Sequence, residues 1–265
     1  MHTIGIIGTG FMGSSLIGAI QKRYPDIRIG AVEKDSQRLQ FMLNNHQAKD
    51  YSADPAALFR DSQAVILAVK PRDLNRIAAQ LPEGAGDTPV ISVLAGTSSD
   101  QVAHALQASS VVRIMPNLAA EIGRAVIGIT FPPTITPEMR GEISGLLESA
   151  GSLVEVDESL MPTMTALSGS GIAFAFQFID ALAMGAVSEG LTYAQAVRAA
   201  ADVVSSAAAL IETKQVHPQE MVSRVCSPAG TTIAGIRALA DGKFHATVMN
   251  AVEKSARAGT GSDRS

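Results

Sequence analysis

Short apolar runs alternate with longer amphipathic stretches through the first half of the chain. Residues 3–8 and 27–33 are apolar runs of strand length, and each is followed by a stretch with helical periodicity, 11–23 and 36–46. Further β-branched-rich runs cover 64–69, 89–94 and 110–115, with helical segments between them. Runs at 125–130 and 152–156 add strands at a far edge. Strands alternating with helices predict a parallel sheet with right-handed crossovers, hence an α/β chain opening with a Rossmann-type doubly wound, mostly parallel sheet. Beyond Asp157 the strand pattern stops, and 171–189, 193–213 and 230–258 read as helices. Pro162, the Ser168-Gly169-Ser170-Gly171 run and His217-Pro218 are expected to mark breaks. The pattern therefore divides the chain into a nucleotide-binding-type domain, 1–157, and an all-α domain, 158–258. The tail 259–265 is Gly, Ser and charge with nothing to bury, and is expected to be disordered.

Composition sharpens the second half. Hydrophobic residues make up 46% of the chain, but aromatics only 4%, and Trp is absent. Small side chains let helices approach closely, so tightly packed helices are expected there. The net charge of −4, with no Lys/Arg cluster, argues against nucleic acid as a partner. A single cysteine, Cys226, rules out an internal disulfide framework, and the five scattered histidines show no metal-ligand spacing, so no metal is expected. The apolar start is too short and too glycine-rich for a signal peptide. The long apolar stretch 171–187 contains Gln177 and Asp180, which suits an interface helix better than a membrane span. A soluble, reducing, cytoplasmic setting is the expectation.

The first chemistry lies between the first strand and the first helix. Gly8-Thr9-Gly10-Phe11-Met12-Gly13 is a G-x-G-x-x-G in which Gly8 permits the turn, Gly10 lets the backbone approach a pyrophosphate and Gly13 allows helix and strand to meet closely. The phosphates would rest on free N–H groups at a helix N-terminus. Glu33, at the end of the second strand, stands where an acid accepts the ribose hydroxyls, and its charge would repel a 2′-phosphate. That favours NADH, although Lys34 and Arg38 are placed to pair with the phosphate of NADPH.

A second constellation is Ser227-Pro228-Ala229-Gly230-Thr231-Thr232. Pro228 stops one helix, Gly230 allows a close turn, and two threonines open the next helix. Hydroxyls and free N–H groups would converge there, either as a carboxylate trap or as an ordinary cap.

Together with the glycine motif, three further segments resemble pyrroline-5-carboxylate reductases across nearly the whole chain: Ala68-Val69-Lys70-Pro71, Arg113-Ile114-Met115-Pro116-Asn117, and the run from Val225 to Ile236 that contains the threonine pair. Leu167-Ser168-Gly169-Ser170-Gly171 is a weaker match. The resemblance implies hydride transfer from NADH or NADPH to the C=N carbon of 1-pyrroline-5-carboxylate, giving L-proline. It implies that Ser227, Gly230, Thr231 and Thr232 hold the substrate carboxylate, with Thr232 and then Thr231 as the residues nearest the chemistry. The nicotinamide would lie against Ala68, Val69, Lys70, Pro71, Ala95, Gly96, Met115, Pro116 and Asn117. It also implies that the helical domain forms an interlocked homodimer.

The chain departs from the family pattern in three places. Asn117 is followed by Leu118 and Ala119 where the family has Thr-Pro, Gly171 is followed by Ile172 where it has Pro, and Glu33-Lys34-Asp35 replaces Asn-Arg-Ser. The lost prolines raise a different cyclic imino acid, such as a six-membered one, as an alternative substrate. A β-hydroxyacid dehydrogenase shares the nucleotide domain but needs a lysine base, and Lys214, Lys243 and Lys254 sit in no recognisable motif. A non-catalytic, nucleotide-binding regulatory member of the family would have no need of the intact 227–232 segment. Cys226 reads as a packed small residue, and His217 as a helix-entry residue.

Overall fold

The computed structural model describes residues 1–260. Its strands are β1 (Thr3–Ile7), β2 (Arg28–Val32), β3 (Lys49–Asp50), β4 (Ala64–Leu67), β5 (Val90–Ser92), β6 (Val111–Met115), β7 (Ala125–Thr130) and β8 (Gly151–Glu155). They form one sheet in the order β3-β2-β1-β4-β5-β6-β7-β8, parallel throughout except where β7 runs antiparallel to β6. The helices that accompany the sheet are α1 (Phe11–Arg23), α2 (Ser36–His46), α3 (Pro55–Asp61), α4 (Leu74–Ala78), α5 (Ser99–Leu106), α6 (Pro137–Leu147) and α7 (Met161–Met164). The expected doubly wound, mostly parallel sheet is therefore present. The two-residue strand β3, polar and exposed, was not among the expected strands.

Alternation along β1 sorts the core into two layers. Ile4 and Ile6 face α1, α2 and α6, where Leu16, Ile17, Ile20, Met42, Ile143 and Leu147 are fully buried. Ile7 faces the opposite layer with Leu58, Val102 and Leu106 from α3 and α5. Each such fully buried side chain contributes about 1.5–3 kcal/mol. On the second face Gly5 and Gly30 sit side by side in register and leave a bare lane for Leu58 of α3. A Cβ on Gly5 would come within 2.9 Å of Leu58 Cγ, and one on Gly30 within 2.5 Å of its Cδ1.

By internal contacts the chain falls into two units, Met1–Gly169 together with the chain from Ser255 on, and Ser170–Lys254. The Ser168–Gly171 run does not break the chain as expected. Residues Thr165–Ser170 form a π-helical segment that continues α7 into α8 (Gly171–Ser188). Ser168 Oγ donates to Met164 O at 2.8 Å, an i−4 contact that satisfies its hydroxyl inside the helix. The remaining helices are α9 (Tyr193–Lys214), α10 (Pro218–Val225), α11 (Thr231–Asp241) and α12 (Phe244–Thr260). The single helix expected over 230–258 is thus two helices. Gly242 caps α11, and Lys243 turns left-handed at φ 55° before α12 begins. Gly259 and Thr260 belong to α12, and the rest of the expected disordered tail lies outside the described residues.

In the helical unit α8 and α9 meet through small side chains. Ala183, Ala196 and Ala200 are buried between them, with Ile179 and Val197 at the margin. The Thr192 and Gln195 side chains form a capping box at the start of α9. Large apolar residues remain exposed on the same helices, including Phe176, Met184, Val203 and Leu210.

Candidate active site

The nucleotide cleft is built at the carboxyl ends of β1, β2, β4 and β6, where open α/β sheets bind ligands. Its volume is about 770 Å³. The glycine turn meets the steric demands that the motif implies. Gly8 has φ +90°, and a Cβ there would lie 2.6 Å from Ala68 O. A Cβ on Gly13 would lie 2.3 Å from Gly8 O, so any side chain would drive α1 off the turn. Gly10 is the N-cap of α1 and no side chain caps that helix, which leaves its first N–H groups to a ligand. A Cβ on Gly10 would meet nothing nearer than Arg38 Nη1, 3.7 Å away. The turn therefore fits a pyrophosphate.

Glu33 is buried at the back of this turn and its carboxylate is fully engaged. One oxygen accepts from Thr9 N at 2.7 Å and Thr9 Oγ1 at 3.0 Å, the other from Lys34 N at 2.8 Å and Asp35 N at 3.0 Å. Burial alone would raise its pKa, but these hydrogen bonds outweigh burial and hold it below the ordinary glutamate value. Four donors fill the roughly four acceptor positions of a carboxylate. In this structure Glu33 lines the cleft and its carboxylate braces the glycine turn.

Across the cleft, the turn Pro71–Asp73 after β4 supplies Asp73. Its carboxylate lies 3.3 Å from Lys34 Nζ and 3.5 Å from Arg76 Nε. The hydrogen bond from Lys34 is the main cause of its lowered pKa. Arg38, Lys70 and Arg72 line the same cleft. Arg72, Asp73, Arg76 and Ser52 were not anticipated. Arg72 and Asp73 had a signal, since they directly follow the Lys70-Pro71 pair at a strand's carboxyl end.

Of the residues expected at the cofactor, Gly8, Gly10, Phe11, Met12, Glu33 and Lys34 line the cleft on one side. Ala68, Val69, Lys70, Pro71, Ala95, Met115 and Pro116 line it on the other. Gly13 lies behind the turn, and Gly96, at φ +66°, shapes the loop without lining the cleft. Asn117 is buried and turned elsewhere. Its Nδ2 donates to Ser168 O at 3.1 Å and its Oδ1 accepts from Ala119 N at 3.2 Å, so it ties the end of β6 to the π-helical segment. Arg113, two residues before Met115, is also buried. It pairs with Glu158 at 2.6 Å, and Glu158 in turn accepts from Ser99 N and Oγ.

The 227–232 segment lies in the other unit. Cys226 ends α10, and Ala229 adopts φ +56°, a left-handed conformation unusual for a residue with a Cβ. A Cβ on Gly230 would lie 2.2 Å from Ser227 Oγ and 3.2 Å from Ser227 O, so a side chain there would turn the serine hydroxyl aside. Gly230 is also the N-cap of α11, and no side chain caps that helix. The ordinary-cap reading of the Ser and Thr hydroxyls is therefore not what the structure presents. Thr231 and Thr232 stand at an open helix start whose N–H groups face solvent or ligand.

Comparison with known proteins covers both halves. Residues 158–261 match the family model described as pyrroline-5-carboxylate reductase dimerisation, and residues 3–96 match one described as NADP oxidoreductase coenzyme F420-dependent. The chain is 34% identical to a pyrroline-5-carboxylate reductase of Aquifex aeolicus over 96% of its own length and 95% of the relative's. It is 39% identical to one of Methanosarcina acetivorans, over 94% and 93%. Among solved structures, the 1-pyrroline-5-carboxylate reductase of Streptococcus pyogenes superposes with a TM-score of 0.85 at 29% identity, covering 98% of each chain.

Proposed function

The chain belongs to the pyrroline-5-carboxylate reductase family, and from that premise we propose that it reduces the C=N bond of 1-pyrroline-5-carboxylate to L-proline at the expense of NAD(P)H. The observation that carries this reading is the open start of α11, where Gly230 lies against Ser227 Oγ and no side chain competes for the helix N–H groups. A carboxylate satisfies those groups and the helix dipole together.

When bound, the reduced nicotinamide supplies the hydride, and the imine nitrogen takes up a proton. A protonated imine is already electrophilic, so the protein's task is placement. Val69, Lys70, Pro71, Ala95, Met115 and Pro116 form the wall for the nicotinamide half, with Gly96 shaping its loop and Asn117 holding the wall's end. Ser227, Gly230, Thr231 and Thr232 hold the carboxylate, and Thr232 is the hydroxyl assigned to the ring nitrogen or the carboxylate. Residues 158–258 serve self-association and substrate binding, and the protein works as a cytoplasmic homodimer.

The test is oxidation of NADH and of NADPH, followed by loss of nicotinamide absorbance, with five- and six-membered cyclic imino acids in parallel. Faster turnover of the five-membered acid supports the reading. Nucleotide binding without turnover, or a preference for the six-membered acid, overturns it. Thr232→Ala is expected to weaken substrate binding by about 1.5–3 kcal/mol, the value of a hydrogen bond to a charged group. Unchanged steady-state constants would remove Thr232 from the site.

A further inference from the structure

The charges around the nucleotide cleft are unevenly committed. Lys34, Arg38, Lys70, Arg72 and Arg76 line it, against the carboxylates of Glu33 and Asp73. Glu33 is consumed by backbone and hydroxyl donors at the back of the glycine turn. Asp73 is the carboxylate that meets the cations. It receives Lys34 from the end of β2 and Arg76 from α4. The end of β2 is where dinucleotide folds distinguish a ribose hydroxyl from a 2′-phosphate. Two of the cations suited to that phosphate are thus already gathered on an anion contributed from the opposite loop. Arg38, whose guanidinium overhangs the Gly10 turn, has no ion-pair partner among the described residues.

We propose that Asp73 is a specificity-determining residue, an internal occupant of the 2′-phosphate subsite that NADPH must displace from Lys34 and Arg76 and that NADH leaves in place. The proposal rests on the dinucleotide reading of the cleft. The 2′-phosphate offers these cations more charge and more acceptor oxygens than a carboxylate does. It can also engage Arg38, so exchange is feasible. The exchange nevertheless subtracts the Asp73 contacts from NADPH affinity and adds a like charge beside the phosphate. NADH brings only hydroxyls to this place, which the Asp73 carboxylate can accept. Asp73 therefore narrows a preference that the surrounding cations would otherwise give to NADPH. An ordinary ion pair bracing two loops makes the opposite forecast, because its loss would loosen the cleft for both nucleotides alike.

Calorimetric dissociation constants for NADPH, NADH and 2′,5′-ADP separate the two on the full-length protein, its Asp73→Asn variant and its Lys34→Gln variant. Asp73→Asn is expected to tighten NADPH and 2′,5′-ADP by about three- to fivefold while moving NADH by less than about twofold, the scale of a partly exposed ion pair. The gain should shrink as salt rises. Lys34→Gln should lower the NADPH to NADH affinity ratio. If Asp73→Asn weakens both nucleotides together, or leaves their ratio unchanged, Asp73 is only a brace and the proposal falls alone. If the wild-type protein binds neither nucleotide, the dinucleotide reading falls with it.

Discussion

Replacing Glu33 by glutamine keeps the shape of the side chain but turns one of its two acceptor sites into a donor. That new donor faces either the Lys34 and Asp35 N–H groups, which cannot accept it, or the Thr9 N–H and hydroxyl, of which only the hydroxyl can turn to accept. Glu33→Gln should therefore cost about 1–3 kcal/mol of stability. The pH dependence carries the sharper signature. Glu33's pKa is depressed in the folded chain, so its contribution is present in full above the ordinary glutamate value. It is lost as pH falls through the lowered, folded-state pKa. Urea midpoints measured from neutral to acidic pH should converge for wild type and variant at the acid end. Parallel curves would mean that the carboxylate is not what steadies the turn.

Among the elements, the end of β6 is tied down by a single side chain. Asn117 joins it to the π-helical segment Thr165–Ser170, and truncation to alanine leaves the buried Ser168 O and the half-buried Ala119 N without this partner. Asn117→Ala should lower stability by about 1–3 kcal/mol. It should also shift the apparent KM for nucleotide or imino acid more than loss of stability alone would. If serine at 117, which retains an acceptor for Ala119 N, restores neither, the tie to Ser168 is the part that matters. The same neighbourhood shows how far sequence carries. The strands of the sheet and helices α1 and α2 were legible, because apolar periodicity and terminal glycines mark them clearly. Strand β3 was not, since Lys49 and Asp50 carry no apolar signal and owe their pairing to β2 alone. The π-helical turn was also hidden. A Ser-Gly-Ser-Gly run looks like a break until the hydroxyl of Ser168 is seen bonded back to Met164. At the site, the glycine turn and the open start of α11 followed from residue type and spacing. The inward turn of Glu33 and the Asp73 cluster did not, because both depend on which donors the fold brings within reach.

For the whole molecule, the helical half exposes more apolar surface than a lone chain tolerates in water. The helical stretches Glu158–Ser188 and Tyr193–Lys214 are apolar and long enough to cross a membrane, with little of either buried within one chain. The dimerisation model spans both of them, which supplies a second copy as the partner for those faces. Light scattering at micromolar concentration should give at least twice the 27.5 kDa chain mass. Val203, on α9, is 61% exposed in the single chain. Val203→Asp should leave the sheet domain folded but return the mass toward that of one chain, and an unchanged mass would place the interface on another face.

The bare lane formed by Gly5 and Gly30 has a consequence for heredity. Four positions far apart in sequence, 5, 30, 51 and 58, share the volume over β1 and β2. A Gly30→Ala lesion should thus be correctable without reverting it. Selection for restored growth in a host dependent on this protein should yield second-site changes that shorten Leu58 or trim the Tyr51 ring beside it, and those same changes should be harmful when separated from the lesion.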